Sequence, residues 1–302
     1  MKEKKYDIVG SNDDKIFDIV VTIIAVFFLL IAAYPMYLVI IASFSDPEAV
    51  SQGKVLLTPV GFSLRSYQYI FKNKDIWMGY GNTILYTACG TVCGTLITLL
   101  AAYAMSREDL PGRKIFIKLC MFTMFFNGGM IPTYLIVKGI HLNNTRYILI
   151  LMGMFVTYNM IIARTYFANS LPKELFEAAT IDGCSNTRFF FTIAIPLSKA
   201  IVAVIALYIG VQYWNNYFTA LIYTTKRAYF PLQLIQREIL VLGQKLASGA
   251  EGVDVEAVVE MQKISESIKY GVILVSMLPV MMVYPFVQKF FVQGVMIGSV
   301  KG

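Results

Sequence analysis

Charged residues are scarce in this chain. They make up 15% of its 302 residues, against about 25% in an ordinary soluble domain. With 57% of residues hydrophobic, that shortage argues against a cytosolic enzyme. The apolar content and the lack of a short repeat also exclude a disordered or fibrous chain. Histidine occurs once, at His141 in a short connection, which argues against an intramembrane metalloenzyme. Cys89, Cys93, Cys120 and Cys184 form neither a CxxC nor a Cys/His pattern, so they read as small packing residues. There is no GxxxxGK[ST] phosphate loop, and no clustered nucleophile and base.

The charge that is present is unevenly spread. Six stretches of 17 or more residues contain no Asp, Glu, Lys or Arg: 19–45, 76–106, 119–137, 147–163, 200–225 and 270–288. A membrane-spanning helix needs about 20 mostly apolar residues. Buried helices of a soluble core are usually shorter and amphipathic. The chain therefore reads as an all-α polytopic membrane protein, one transmembrane domain over 1–302. Six helices are expected at 17–44, 81–105, 114–137, 147–168, 196–222 and 268–292. Gly79-Tyr80-Gly81 reads as the entry to the second. Pro35 predicts a kink in the first helix, and Pro279 and Pro285 a bend in the sixth.

Six spans put both ends on one side. Lys and Arg in the connections number 14 on the side of the termini and 12 on the other. The long loops, which count less, lie on the second side, so both termini are expected in the cytoplasm. Residues 1–18 read as a cytoplasmic N-terminus, not a signal peptide, because a polar run separates Lys2, Lys4 and Lys5 from the first apolar block. Residues 223–267 read as an extracellular loop holding an amphipathic helix around Val255–Met261, and 293–302 as a cytoplasmic tail. The net charge of +7 is scattered over connections, with no basic face for nucleic acid, and fits contact with membrane lipid.

Because the charge-free stretches carry no ionisable group, they argue against a proton-driven carrier, which usually marks its ion route with such groups. Polar amides and rings remain. Asn82, Thr83, Asn127, Asn159 and the cluster Trp214-Asn215-Asn216-Tyr217 could line a route for a sugar-like solute or bond between helices. A secondary carrier or channel for a small polar solute is the competing reading.

The segment 172–186 encodes a short capped helix between the fourth and fifth spans. Ser170 and Pro172 are helix-start residues, Glu174 suits the N-terminal dipole, and Gly183 is a natural stop. Leu175, Ala178 and Ala179 share one face, and the small alanines would let a partner approach closely.

Glu177-Ala178-Ala179, then Gly183 after three residues, then Ile193-Ala194-Ile195-Pro196 after nine more, resembles the EAA signature of ABC importer permeases. Ile195 stands where the family pattern has leucine. Ala101–Arg107 with Gly112-Arg113, Ile131–Tyr134, Leu142–Thr145 and Trp214-Asn215 are similar to carbohydrate permeases of the maltose type. The stretch Tyr284–Gly302 is similar to their LplC/YtcP-like oligosaccharide subgroup.

The resemblance implies a type I importer permease fold in a bacterial cytoplasmic membrane, five core helices plus an N-terminal one. It implies a second homologous permease subunit, two ATPase subunits, an extracellular solute-binding protein and an oligosaccharide substrate. The chain itself would be no enzyme and carry no cofactor, with ATP and Mg held by the ATPases. Glu177, Ala178, Ala179, Asp182, Gly183 and Pro196 would couple to the ATPases through a lever helix. Gly294, Gly298, Ser299, Lys301 and Gly302 would touch them from the tail.

Overall fold

A computed structural model of the chain describes residues 12–247, 265, 268–283, 285 and 288, without the side chains of 12–14 and 242–247. The tail residues Gly294, Gly298, Ser299, Lys301 and Gly302 lie outside the described residues, as does the helix expected around Val255–Met261. Among the described residues all regular elements are helical, with one isolated bridge pairing Ser45 and Phe62.

The helices are α1 (Asn12–Ser43), α2 (Pro47–Ser51), α3 (Arg65–Lys72), α4 (Lys74–Ser106), α5 (Arg113–Phe125), α6 (Met130–Gly139), α7 (Arg146–Leu151) and α8 (Thr157–Ser170). They continue with α9 (Lys173–Ile181), α10 (Asn186–Phe189), a π-helical turn (Phe190–Ala194), α11 (Ile195–Leu197), α12 (Lys199–Trp214), α13 (Phe218–Tyr223) and α14 (Leu232–Ala247). A last apolar helix, α15, covers Ile268–Val283.

The described residues form two compact units. One holds those up to Ile70 with those of 243–274, and the other those of 71–242 with those from Val275 onward. In the first unit, Ile41, Ala42, Ala49 and Val55 make a small core joined by Leu38 and Tyr270. Phe44 stacks between Phe62 and Tyr67, and the Ser43 and Tyr67 hydroxyls share a 2.8 Å hydrogen bond. Most of α1 is exposed and apolar, and Pro35 lies inside it without ending it.

In the second unit α4 is the spine, packed chiefly against α12 and α8. Leu99, Ala102, Met160, Ala163, Phe167, Phe190, Ile205 and Ile209 fill the space between them. Close approach depends on small residues. The Tyr213 ring lies between Gly90 of α4 and Gly153, and its hydroxyl donates to the Ile150 carbonyl. A Cβ on Gly94 would stand 2.8 Å from the Met154 carbonyl oxygen.

Several expected helix limits are corrected. The second helix does not enter at Gly79-Tyr80-Gly81. It starts at Lys74, because Asn73 caps it by accepting the Asp75 N–H at 3.0 Å. The third is not continuous over 114–137. Asn127 turns back to accept the Gly129 N–H at 3.0 Å, and α5 and α6 meet at 114°. The fourth, expected at 147–168, is split into α7 and α8. The fifth, expected at 196–222, ends at Trp214 and resumes as α13, while the stretch Asn186–Leu197 turns 88° from α12 at Ser198. Among the described residues, two helices, Lys15–Ser43 and Lys74–Ser106, are long and apolar enough to cross a membrane, or up to four if each bent pair counts as one span.

Candidate functional site

The segment after α8 folds as its residues dictate, with one correction. Ser170 closes α8 instead of opening the next helix, and 172–186 is a helix, a turn and the start of another helix. Pro172 precedes α9 at φ −59° and ψ 140°, an extended geometry the ring favours, and Glu174 sits in the first turn. At the other end the Gly183 N–H reaches Thr180 O at 3.0 Å and the Cys184 N–H reaches Ala179 O at 2.8 Å. That pair of bonds is a Schellman closure, and Gly183 supplies the left-handed residue it needs at φ +75°. The Ser185 hydroxyl then accepts the Arg188 N–H to start α10.

The two faces of α9 differ. Ala179 is buried, and Leu175 and Phe176 pack against the main core. Glu174, Glu177, Ala178 and Asp182 face out, and Ile181 is 86% exposed, a large apolar side chain left uncovered. Five of the six coupling residues expected from sequence, Glu177, Ala178, Ala179, Asp182 and Gly183, are thus gathered on one short element. Pro196 is separate, in α11. It has no N–H to give, and just before it the Ile195 N–H bonds five residues back, to Phe190 O.

The connection between α4 and α5 grips this element. Arg107 forks onto Asp109 at 3.0 Å twice, and its guanidinium lies 3.0 Å from the centre of the Phe176 ring. The Arg107 hydrogen bond holds the Asp109 carboxyl below its ordinary value. Lys173 meets Glu108 at 2.7 Å, and that hydrogen bond lowers Glu108 in the same way. Arg164 Nε donates to the Met105 carbonyl at 3.0 Å, joining α8 to the end of α4. Arg107, Arg113, Lys173, Phe176 and Glu177 border a cleft of about 340 Å³ here.

At the other end of α4, the segment before α14 is pinned down. Asn82 Nδ2 donates to Ala228 O at 2.9 Å and Phe230 O at 3.0 Å, Tyr86 donates to Tyr229 O, and the Thr83 hydroxyl accepts the Leu232 N–H at 2.8 Å. Asn82 and Thr83, read from sequence as lining or interhelical residues, are therefore braces. Arg227 pairs with Asp75 at 2.6 Å and Glu238 at 3.2 Å, and the hydrogen bond to Asp75 raises its pKa further.

The solute-route candidates are dispersed. Trp214 is buried and its Nε1–H donates to Ser276 O at 3.1 Å. Asn215 Nδ2 bonds Val211 O at 2.9 Å, while Asn216 accepts the Thr219 N–H at 3.1 Å and so caps α13. Asn215 and Tyr217 are exposed, Asn159 is buried in α8, and Asn127 serves the α5–α6 break. Two residues escaped the sequence reading. Arg107 had only its place in a family-like segment to mark it. Arg237 in α14 stands over the Tyr217 ring at 5.6 Å, without an ion pair among the described residues. Its 20-residue separation from Tyr217 hides that meeting.

An all-helical fold with a short exposed helix, α9, set between α8 and the bent stretch Asn186–Trp214 is that of an ABC importer permease. It matches the crystal structure of a bacterial ABC transporter involved in the import of the acidic polysaccharide alginate, with a TM-score of 0.82 and 32% identity over 93% of this chain and 99% of that one. The chain is 39% identical to the polygalacturonan/rhamnogalacturonan transport system permease protein YtcP of Bacillus subtilis (strain 168), over 96% of its own length and 99% of the relative's. It is 37% identical to the protein LplC of the same organism over 90% of each. No family model matches. The chain belongs to the ABC sugar-transport permeases, membrane subunits that are not themselves enzymes. A secondary carrier or channel is not favoured.

Proposed function

We propose that this chain forms half of the translocation pathway of a binding-protein-dependent oligosaccharide importer and couples to its ATPases through α9. The supporting observation is the outward face of α9, where Glu174, Glu177, Ala178, Ile181 and Asp182 project from a helix that starts after Pro172 and is closed by the Gly183 turn. A rigid helix with an uncovered isoleucine is built for a groove in another subunit. A second homologous permease, two ATPase subunits holding ATP and Mg, and an extracellular binding protein complete the assembly. Six spans are proposed, with the bent pairs α5–α6 and α10–α12 each crossing once and both termini in the cytoplasm. The tail residues Gly294, Gly298, Ser299, Lys301 and Gly302 are proposed as a second ATPase contact, and Pro196 shapes the bend that α9 would move. Replacing Glu177 by Lys is expected to cost at least about tenfold in ATPase association during co-purification, the scale of a misplaced charge at an interface. Unchanged association and unchanged ATPase stimulation would sink the docking role.

Asn215 and Tyr217 are proposed to touch solute, with Trp214, Asn216, Asn127 and Asn159 shaping the route behind them. An acidic oligosaccharide is favoured, since the relatives named above are described for polygalacturonan, rhamnogalacturonan and alginate. Arg237 beside Tyr217 offers a cation next to the proposed route, although it lies outside the charge-free stretches. Replacing Arg237 by Gln is expected to lower uptake of uronate-containing oligosaccharides about tenfold relative to neutral ones, the worth of a lost charged hydrogen bond. An unaltered ratio would dismiss the assignment.

A further inference from the structure

Arg107 ends α4, the helix against which α8 and α12 pack. Its side chain is only 19% exposed although it carries a charge. The guanidinium carbon lies over the Phe176 ring of α9, 3.0 Å from its centre, and the edge-to-face contact of Phe176 with Phe189 at 5.2 Å extends the ring network from α9 into α10. One turn earlier on α4, Tyr103 stacks on Phe189 at 6.2 Å and meets Phe190 at 5.2 Å. The last turn of α4 therefore holds α9 and α10 through two side chains four residues apart. The two-bonded fork to Asp109 stops the guanidinium from rotating away from the ring. The neighbouring tether, Lys173 to Glu108, is 71% and 67% exposed and so contributes little.

We propose that Arg107 is a positioning residue that latches the ATPase-facing helix α9 to α4 through the face of Phe176, so that a push on α9 moves the packed centre of the bundle. Without the latch, force on α9 would pass along the backbone to α8 and to the stretch beginning at α10, and would reach α4 only through apolar packing and the exposed Lys173–Glu108 pair. With it, the same force is applied to the end of α4 directly, and through α4 to α12, which packs against it. The interaction is specific in chemistry, because a cation is drawn to the negative face of an aromatic ring and to no aliphatic surface. This inference rests on the reading of α9 as the ATPase contact.

The test is uptake per ATP hydrolysed by the assembled importer in liposomes, with its binding protein and oligosaccharide. Phe176→Tyr keeps the ring face and is expected to keep the ratio. Phe176→Leu keeps apolar bulk without the face, and Arg107→Gln keeps length without the charge. Each is expected to lower the ratio about tenfold, the size of one partly desolvated cation–π contact. The double variant is expected to be no worse than either single one, since both act through one contact. Arg107→Lys, which keeps the charge but not the forked guanidinium that binds Asp109, provides a milder variant with a several-fold loss. A normal ratio in Phe176→Leu, or losses that multiply in the double variant, would overturn the latch. So would loss of ATPase binding in Arg107→Gln, because the latch leaves the outward face of α9 intact. Failure of the docking reading shows separately, as normal ATPase association in Glu177→Lys.

Discussion

Replacing Gly90 by Ala is expected to destabilise the folded permease by about 3 kcal/mol, with larger side chains preventing its recovery from the membrane. The new methyl would enter the space of the Tyr213 ring. That ring has nowhere to retreat. On its other side a Cβ at Gly153 would already lie 2.9 Å from its Cζ, and its hydroxyl is bonded to Ile150 O. The strain must therefore part α4 from α12, the most extensive packing in the second unit. A melt of the detergent-purified protein should show a fall of roughly 5–10 °C. Gly81→Ala, in the same helix but with open space around it, is the control and is expected to gain up to about 1 kcal/mol from helix propensity. Equal melting of the two variants would mean that Tyr213 is not wedged between helices.

Replacing Gly183 by Val is expected to abolish ATPase association, whereas Gly183→Asn should largely preserve it. No atom lies within 4 Å of a Cβ added at Gly183, so crowding is not the issue. The cost is the backbone itself, held at φ +75°. For a β-branched residue that conformation costs about 2 kcal/mol or more, while asparagine adopts it readily. The Schellman bonds from Gly183 and Cys184 would be lost with the turn, and the end of α9 bearing Ile181 and Asp182 would fray. Co-purification of the ATPases with both variants separates the cases. Loss with both would place a partner atom against Gly183, and retention with both would show that the turn does not present the docking face.

Local signals in the chain foretold part of this. Proline at 172, glutamate at 174 and glycine at 183 bracket a helix by backbone chemistry alone, and α9 starts and stops between them. Apolar stretches without charge marked α1 and α4, where length and nearly continuous hydrophobicity suffice although β-branched residues and glycine are frequent. The breaks were harder to foresee. Asn127 could serve as an interhelical hydrogen-bonding group or as the acceptor of a turn, and only the turn bends α5 against α6. Trp214, Asn215 and Asn216 looked like a polar cluster. Their partners Ser276, Val211 and Thr219 show that much of that polarity is used within the protein.

By itself, then, the order of residues determined a helical membrane protein and the family signature on one short capped helix, because periodicity, capping and charge avoidance act over a few neighbours. The tertiary structure alone decided where the spans break, which amides act as braces, and that Arg107 lies on Phe176 across 69 positions of sequence. Those features depend on which side chains meet after distant helices pack, and no local pattern records that.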